Sequence, residues 1–205
     1  MDIAALLKPF VPGPLTPEQL ARVQVHLDLL LRWNARTNLT AVRDAESIVT
    51  RHIGESLFAA ATLLDSAAII SMSDVGSGAG FPGIPMKIWA PSIELVLVES
   101  QGKKVAFLRE VARALRIPGV SVFGDRAERL ERQSDLVTMR AVERFDNVLP
   151  VAARLVTPGG RLGLLIGEGQ VASARRTLGD WVWSEPALVP QSRGRVIVSA
   201  RKPHS

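Results

Sequence analysis

The stretch from Ser71 to Pro85, Ser-Met-Ser-Asp-Val-Gly-Ser-Gly-Ala-Gly-Phe-Pro-Gly-Ile-Pro, has the residue types and spacing to seat a nucleoside-bearing ligand. An apolar run, Ala67 to Ile70, leads to an acid, Asp74, and Gly76, Gly78 and Gly80 then alternate with small residues. Glycine turns through positive φ and lets backbone N–H groups come close to a ligand. A helix starting near Pro82 to Ile84 is expected to aim its free N–H groups and its positive dipole end at the same spot. A dinucleotide would ask for G-x-G-x-x-G directly after the strand. Counted from Gly76 that register fails at Phe81, and counted from Gly78 it forces the strand through Asp74 and Gly76. A bare glycine-rich turn is the plain alternative.

The pattern apolar-x-Asp-x-Gly-x-Gly-x-Gly fits without strain and resembles the first motif of S-adenosylmethionine-dependent methyltransferases. Further along, Glu99 closes an expected second strand, where an acid can accept both hydroxyls of a ribose or cap the next helix. Asp125, Arg126, Ala127 and Glu128 follow the third strand and can offer N–H groups and an acid to an adenine edge; helix capping by Asp125 is compatible with that role. Arg140 comes directly after the fourth strand, at the end that faces a methyl donor in this architecture. No Asn/Asp-Pro-Pro-aromatic motif for exocyclic amines stands there, and the chain has no cysteine for C5 attack on cytosine. What remains is a nucleophile with its own lone pair, such as guanine N7, for which proximity and alignment suffice. Arg140 would then position the base through O6, hold phosphate or contact the cofactor's carboxylate; a salt bridge to Glu143 or Asp135 is the structural alternative.

These residues need a scaffold. Residues 1–65 read as helical: Pro17 behind Thr16 opens a helix with Leu20, Val23, Leu27, Leu30 and Leu31 at three- and four-residue steps, ending near Arg32 to Asn34. A polar link over 33–43 precedes a second helix that starts after Asp44 and carries Ile48, His52, Ser56 and Leu57. From residue 66 to 205 apolar strands alternate with amphipathic helices, the signature of a parallel sheet covered on both faces. Strands are expected over 67–75, 94–99, 120–124, 135–139 and 160–166, with helices over 83–90, 102–117, 125–131 and 144–156. Alternation over 181–189 and 195–201 suggests a closing antiparallel pair. The expected fold is α/β, a Rossmann-like methyltransferase core with a mostly parallel seven-stranded sheet and an amino-terminal helical extension packed on it.

Composition limits the partners. The 205 residues carry a net charge of +5, nearly all of the positive charge being arginine, which favours phosphate-bearing partners. With no cysteine there is no disulfide framework or thiolate metal site, and the scattered His26, His52 and His204 suggest no metal. The opening residues, with Asp2 and a short apolar stretch before Lys8 and Pro9, lack a signal-peptide pattern, and no apolar run is long enough for a membrane span. A soluble cytoplasmic monomer is expected. Arg109, Arg113 and Arg116 share one helix face that is either solvated or turned to RNA phosphate, and Lys103-Lys104 lies nearer the cofactor end. His52 reads either as a hydrogen-bonded structural residue or as a catalyst, and Trp181 and Trp183 as packing.

Several of these pieces together resemble one family. Trp33-Asn34, Asn38-Leu39-Thr40, Arg43-Asp44, Arg51-His52-Ile53 and Ser56 are similar to the amino-terminal signature of the bacterial 16S rRNA guanine-N7 methyltransferases, also called glucose-inhibited division protein B. Asp74 to Pro85 with its Gly-Phe-Pro-Gly-Ile-Pro ending, Glu99-Ser100, Gly102-Lys103-Lys104, Phe107-Leu108, Arg140-Ala141 and Pro158-Gly159-Gly160 continue the likeness over roughly residues 15 to 201. The resemblance implies that S-adenosylmethionine is held at Gly76, Phe81, Ala127, Glu128 and Arg140, and that a guanine of small-subunit ribosomal RNA, naked or in a 30S-like particle, is methylated at N7. It further implies that Asn38, Arg51 and His52 face the RNA. The chain departs from the family at Thr37, usually aromatic, and at Ile166-Gly167, where the family tends to show Lys-Gly. A methyltransferase for another RNA or a small molecule, and a non-catalytic assembly protein that keeps the cofactor pocket, are the alternative functions.

Overall fold

A computed structural model describes residues 1–64, 69–142 and 144–204. Helix α1 (Ile3–Leu7), capped by Asp2, precedes the long α2 (Pro17–Thr37). Thr16 accepts from the Gln19 N–H, Gln19 accepts from the Thr16 N–H, and Pro17 sits in the first turn, so the chain's own residues satisfy the orphan donors there. The helix runs past the expected stop at 32–34 to Asn38, whose left-handed conformation (φ 47°) ends it. Asp44 caps α3 (Ala45–Ile48), which passes through a π-helical stretch, Val49–Gly54, into α4 (Glu55–Leu63).

The remaining elements are β1 (Ser71–Val75), α5 (Gly83–Trp89), β2 (Glu94–Val98), α6 (Gly102–Leu115), β3 (Val120–Phe123), β4 (Ser134–Arg140), α7 (Phe145–Arg154), β5 (Val156–Gly167), α8 (Val171–Thr177), β6 (Val182–Trp183), β7 (Ala187–Leu188) and β8 (Arg195–Arg201). The sheet order is β3-β2-β1-β4-β5-β8-β6, parallel through β5 and antiparallel at β8, with β7 also paired to β8. Alternate side chains feed opposite faces: Leu95 and Leu97 join the core under α2, α4, α5 and α6, while Val96 and Val98 join the core under α7 and α8. The strand order reverses between β1 and β4, so Gly76 and Arg140 emerge at one switch point, the place where such sheets bind ligands.

Several boundaries differ from expectation, each for a local reason. The helix expected over 125–131 is only a 3-10 turn, Ala127–Arg129. The Arg154 guanidinium from α7 donates to the carbonyls of Ala127, Glu128 and Leu130, groups a continuing helix would need. Helix α6 stops at Leu115 because Arg116 turns left-handed (φ 50°), so Arg116 lies off the helical face of Arg109 and Arg113. The Pro158-Gly159-Gly160 turn is a bulge inside β5, between the pairings Ser134 with Val156 and Leu136 with Arg161. Among the described residues the sheet has eight strands rather than seven because 181–189 splits in two: Ser184 bonds Ser199 between the halves, and Pro186 has no N–H to continue a ladder. The start expected for the first strand, and the domain division expected at 65–66, fall on residues outside the described ones.

The buried His26 joins the amino-terminal helices to the sheet. Its Nε2–H donates to the Ala79 carbonyl (2.9 Å), which leaves Nδ1 as a buried lone pair without a partner, and its ring packs 4.9 Å from that of Phe81. Burial is the main cause that lowers its pKa from 6.5 to about 4, against the bond to Ala79. Between these two values the unfolded chain binds the extra proton and the fold does not. Stability from this group is therefore complete above pH 6.5 and is lost as pH falls towards 4, by about 3 kcal/mol. His26→Gln, which keeps a donor in reach of Ala79, is expected to flatten this part of the acid limb. Urea titrations of both proteins between pH 4 and 7 check it; parallel stability curves would contradict the assignment.

Candidate active site

The glycine loop is held from behind by Asp74. Its side chain is fully buried, accepting from Thr138 Oγ1 (2.9 Å), its register partner on β4, and from the Gly83 N–H (3.1 Å). The amides that open α5 are thereby satisfied within the protein: Gly83 by Asp74 and Ile84 by the Gly80 carbonyl. The expectation that this helix aims free N–H groups at a ligand is corrected. Gly83 has to be glycine for the same reason, since a Cβ there would lie 2.8 Å from the Asp74 carboxylate. Burial outweighs the bonds from Thr138 and Gly83 and pushes the Asp74 carboxyl up to about 6. A Cβ on Gly80 would lie 2.7 Å from the Ile84 side chain, so this glycine too answers to packing.

On the solvent side of the loop a cleft of about 150 Å³ is lined by Gly76, Glu99, Asp125, Ala127, Glu128 and Val142, among others. Glu99 accepts from the Gly78 N–H (3.0 Å) and the Gln101 N–H (2.9 Å), one bond to each oxygen, which leaves a second acceptor site on each. Gly76 (φ 71°) forms the floor, and a Cβ there would lie 3.1 Å from Val142. Asp125 accepts from the Arg126 N–H and Arg129, and these bonds hold its carboxyl below the usual range.

A second cleft of about 160 Å³ lies across Val142, which lines both; Glu55, Arg140, Phe145, Ile166 and Arg195 are among its walls. Arg140, at the end of β4, donates through Nη2 to the Arg51 carbonyl (2.9 Å), His52 Nδ1 (3.0 Å) and Glu55 Oε2 (3.1 Å). Its guanidinium lies 5.9 Å from the centre of the Phe81 ring. Arg195 from β8 pairs with the other Glu55 oxygen. Burial pushes the Glu55 carboxyl up, while Arg140 and then Arg195 pull it back. A guanidinium only donates, so His52 Nδ1 accepts and its Nε2–H donates to Thr40 Oγ1 (2.9 Å). Burial, and after it the Arg140 charge, lower the His52 pKa to about 3, so the ring is neutral with both nitrogens engaged.

The fold thus gathers Gly76, Glu99, Asp125, Ala127 and Glu128 at one cleft and Arg140 at its neighbour. Asp74 and Gly80 stand behind the loop, and the Phe81 ring lies between His26 and His52, 4.9 and 5.0 Å away, rather than in the cleft. Gly78 lends its N–H to Glu99. Asn38 is exposed and bonded to Arg43, and Arg51 is exposed beside Arg140. Lys103 and Lys104 start α6, just past Glu99. The alternative partners for Arg140 fare differently: Asp135 instead accepts from Ser71 and the Ile70 N–H, and Glu143 lies outside the described residues. Glu55 and Arg195 were not anticipated. The acid in Ile53-Gly54-Glu55-Ser56-Leu57, on the buried face of a helix, was the available signal; nothing local marks Arg195.

This strand order, with a glycine loop and a strand-end acid at the switch point, defines a Rossmann-like S-adenosylmethionine-dependent methyltransferase fold. The magnesium protoporphyrin IX methyltransferase of Synechocystis PCC 6803, solved with bound SAM, superposes with a TM-score of 0.65 at 16% identity, over 92% of this chain and 98% of that one. The TYW2 of M. jannaschii in complex with AdoMet gives 0.58 at 16% identity, over 73% and 74%. At such identities the likeness shows the fold alone. The model of the GidB family, rRNA small subunit methyltransferase G, matches residues 19–184. Proteins called ribosomal RNA small subunit methyltransferase G are 37% identical in Chloroflexus aggregans, over 92% of this chain and 84% of the relative, and 38% identical in Roseiflexus sp., over 90% and 82%. The chain belongs to this family.

Gly78→Val tests the loop directly. A Cβ there meets only the Gly76 carbonyl, 3.8 Å away, so the branched side chain fits the protein but enters the open side of the loop, at φ 55°. Left-handed strain of about 1–3 kcal/mol lowers stability. S-Adenosylmethionine affinity by calorimetry is expected to fall by more than that strain accounts for, and unchanged affinity would sink this reading.

Proposed function

We propose that this protein transfers the methyl group of S-adenosylmethionine to N7 of a guanine in small-subunit ribosomal RNA, in the cytoplasm. The observation that carries the reading is the state of His52. The one imidazole beside Arg140 is neutral, with its lone pair on a guanidinium, and so cannot take a proton from a nucleophile. Such a site suits an acceptor that needs no deprotonation, and guanine N7 attacks with a lone pair already free.

When bound, S-adenosylmethionine supplies an electrophilic methyl group on a sulfonium. The free acceptor sites on Glu99 suit the ribose hydroxyls, the Asp125 to Glu128 turn suits the adenine edge, and Gly76 leaves room between them. The chain's residues then act by placement. Arg140, fixed by Arg51, His52 and Glu55, holds the acceptor side rigid next to Val142. The exposed Arg43, Arg51 and Lys103 offer charge to the RNA backbone.

Labelled S-adenosylmethionine, offered with small subunits and with naked small-subunit RNA, is expected to place label on one guanine N7 in at least one of them. Mapping the modified base checks the reading, and no label on either, from protein that binds the cofactor, overturns it. Arg140→Lys keeps a charge but not the planar fork. It is expected to lower the single-turnover rate on the order of a hundredfold with little change in cofactor affinity. A wild-type rate would remove Arg140 from the mechanism.

A further inference from the structure

Besides fixing Arg140, the buried acid Glu55 faces a cleft of its own. Its side chain is 5% exposed and lines the second cleft, together with the apolar Phe145, Leu165 and Ile166. Arg140 occupies one site on Oε2 and Arg195 one site on Oε1. An ionised carboxylate has about four acceptor sites, two on each oxygen. Among the described residues one therefore remains on each, two adjacent acceptors beside a cleft whose walls include those apolar residues. Burial raises the carboxyl's pKa and the two guanidiniums pull it back; since a guanidinium only donates, both oxygens act as acceptors there.

We propose that this cleft receives the acceptor guanine and that Glu55 reads its Watson–Crick edge, accepting from N1–H and from the N2 amino group. This rests on the methyl-transfer reading above. Among the four RNA bases only guanine presents two adjacent donors on that edge; adenine and cytosine set a ring-nitrogen acceptor beside their amino group, and uracil flanks its single N–H with carbonyls. Unstacked RNA bases are commonly recognised by stacking and by hydrogen bonds to this edge. Gripping guanine there leaves N7, on the opposite side of the purine, free to face the other cleft past Val142, which lines both. The arrangement separates recognition from attack: no donor needs to approach N7.

The test uses the full-length protein and small-subunit RNA carrying either guanine or inosine at the methylated position, assembled into subunits if naked RNA is inert. Inosine keeps N7, O6 and N1–H and lacks only the N2 amino group. In single-turnover methyl transfer the wild type is expected to use inosine roughly tenfold to a hundredfold less efficiently than guanine, because a buried acceptor is left unpaired. Glu55→Gln is expected to be slower on guanine and to bring the guanine-to-inosine ratio close to one. If Glu55 only braces Arg140, Glu55→Gln slows both substrates by the same factor and the wild-type ratio persists, which overturns the inference. Should that variant fail to fold, the wild type decides alone, since equal use of inosine and guanine overturns it as well. Absence of transfer to guanine by the wild type overturns the methyl-transfer reading and this one together, so the two failures are distinguishable.

Discussion

The buried pairing of Arg140 with Glu55 is the interaction on which the geometry of both clefts depends. It joins the end of β4 to the start of α4 and so ties the amino-terminal helices to the sheet at the switch point. A buried ion pair is weak evidence for stability, because desolvation offsets much of the attraction. Its worth lies in direction. Arg140 is held by three acceptors from one helical stretch, and the π-helical turn of Val49–Gly54 is what brings the Arg51 carbonyl, His52 and Glu55 to the same side. π-Helical turns inside α-helices are often found at functional sites.

Around that pair, buried ionisable groups differ in where their hydrogen bonds go. Asp74 in β1 and Glu99 after β2 are both buried acids that accept from amides of the glycine-rich segment. Asp74 has its oxygens on Gly83 and Thr138 and fixes where the loop starts and α5 begins. Glu99 sits at the cleft with acceptor capacity left over. His26 and His52 flank Phe81 and are both neutral, one because it is wholly buried, the other because burial and Arg140 combine. The aromatic ring thus serves as a spacer between two imidazoles, each fixing a different segment: His26 the loop at Ala79, His52 the link at Thr40.

Much of the fold was legible in the order of residues. The capping box at Thr16 and Gln19, the cap at Asp44, the alternation within β2 and the glycines after β1 are local signals, since each depends on neighbours within a few positions. Two departures from expectation have identifiable causes, one distant in the chain and one partly local. Arg154 held the carbonyls after β3 and prevented a helix, and Ser184 with Pro186 divided the strand before β7. The direction of Asp74 was not legible, because only the packed sheet shows that its oxygens turn inward to Thr138 and Gly83.

The sequence by itself determined the parallel sheet, the ligand loop and the family likeness, because periodicity, capping and glycine placement act over short spans of chain. Tertiary structure alone decided who surrounds Arg140. His52 and Glu55 share one helical stretch, but no local pattern couples that stretch to Arg140 on β4 or to Arg195 on β8. The order of strands brings them to one point, and burial there sets which of them is charged.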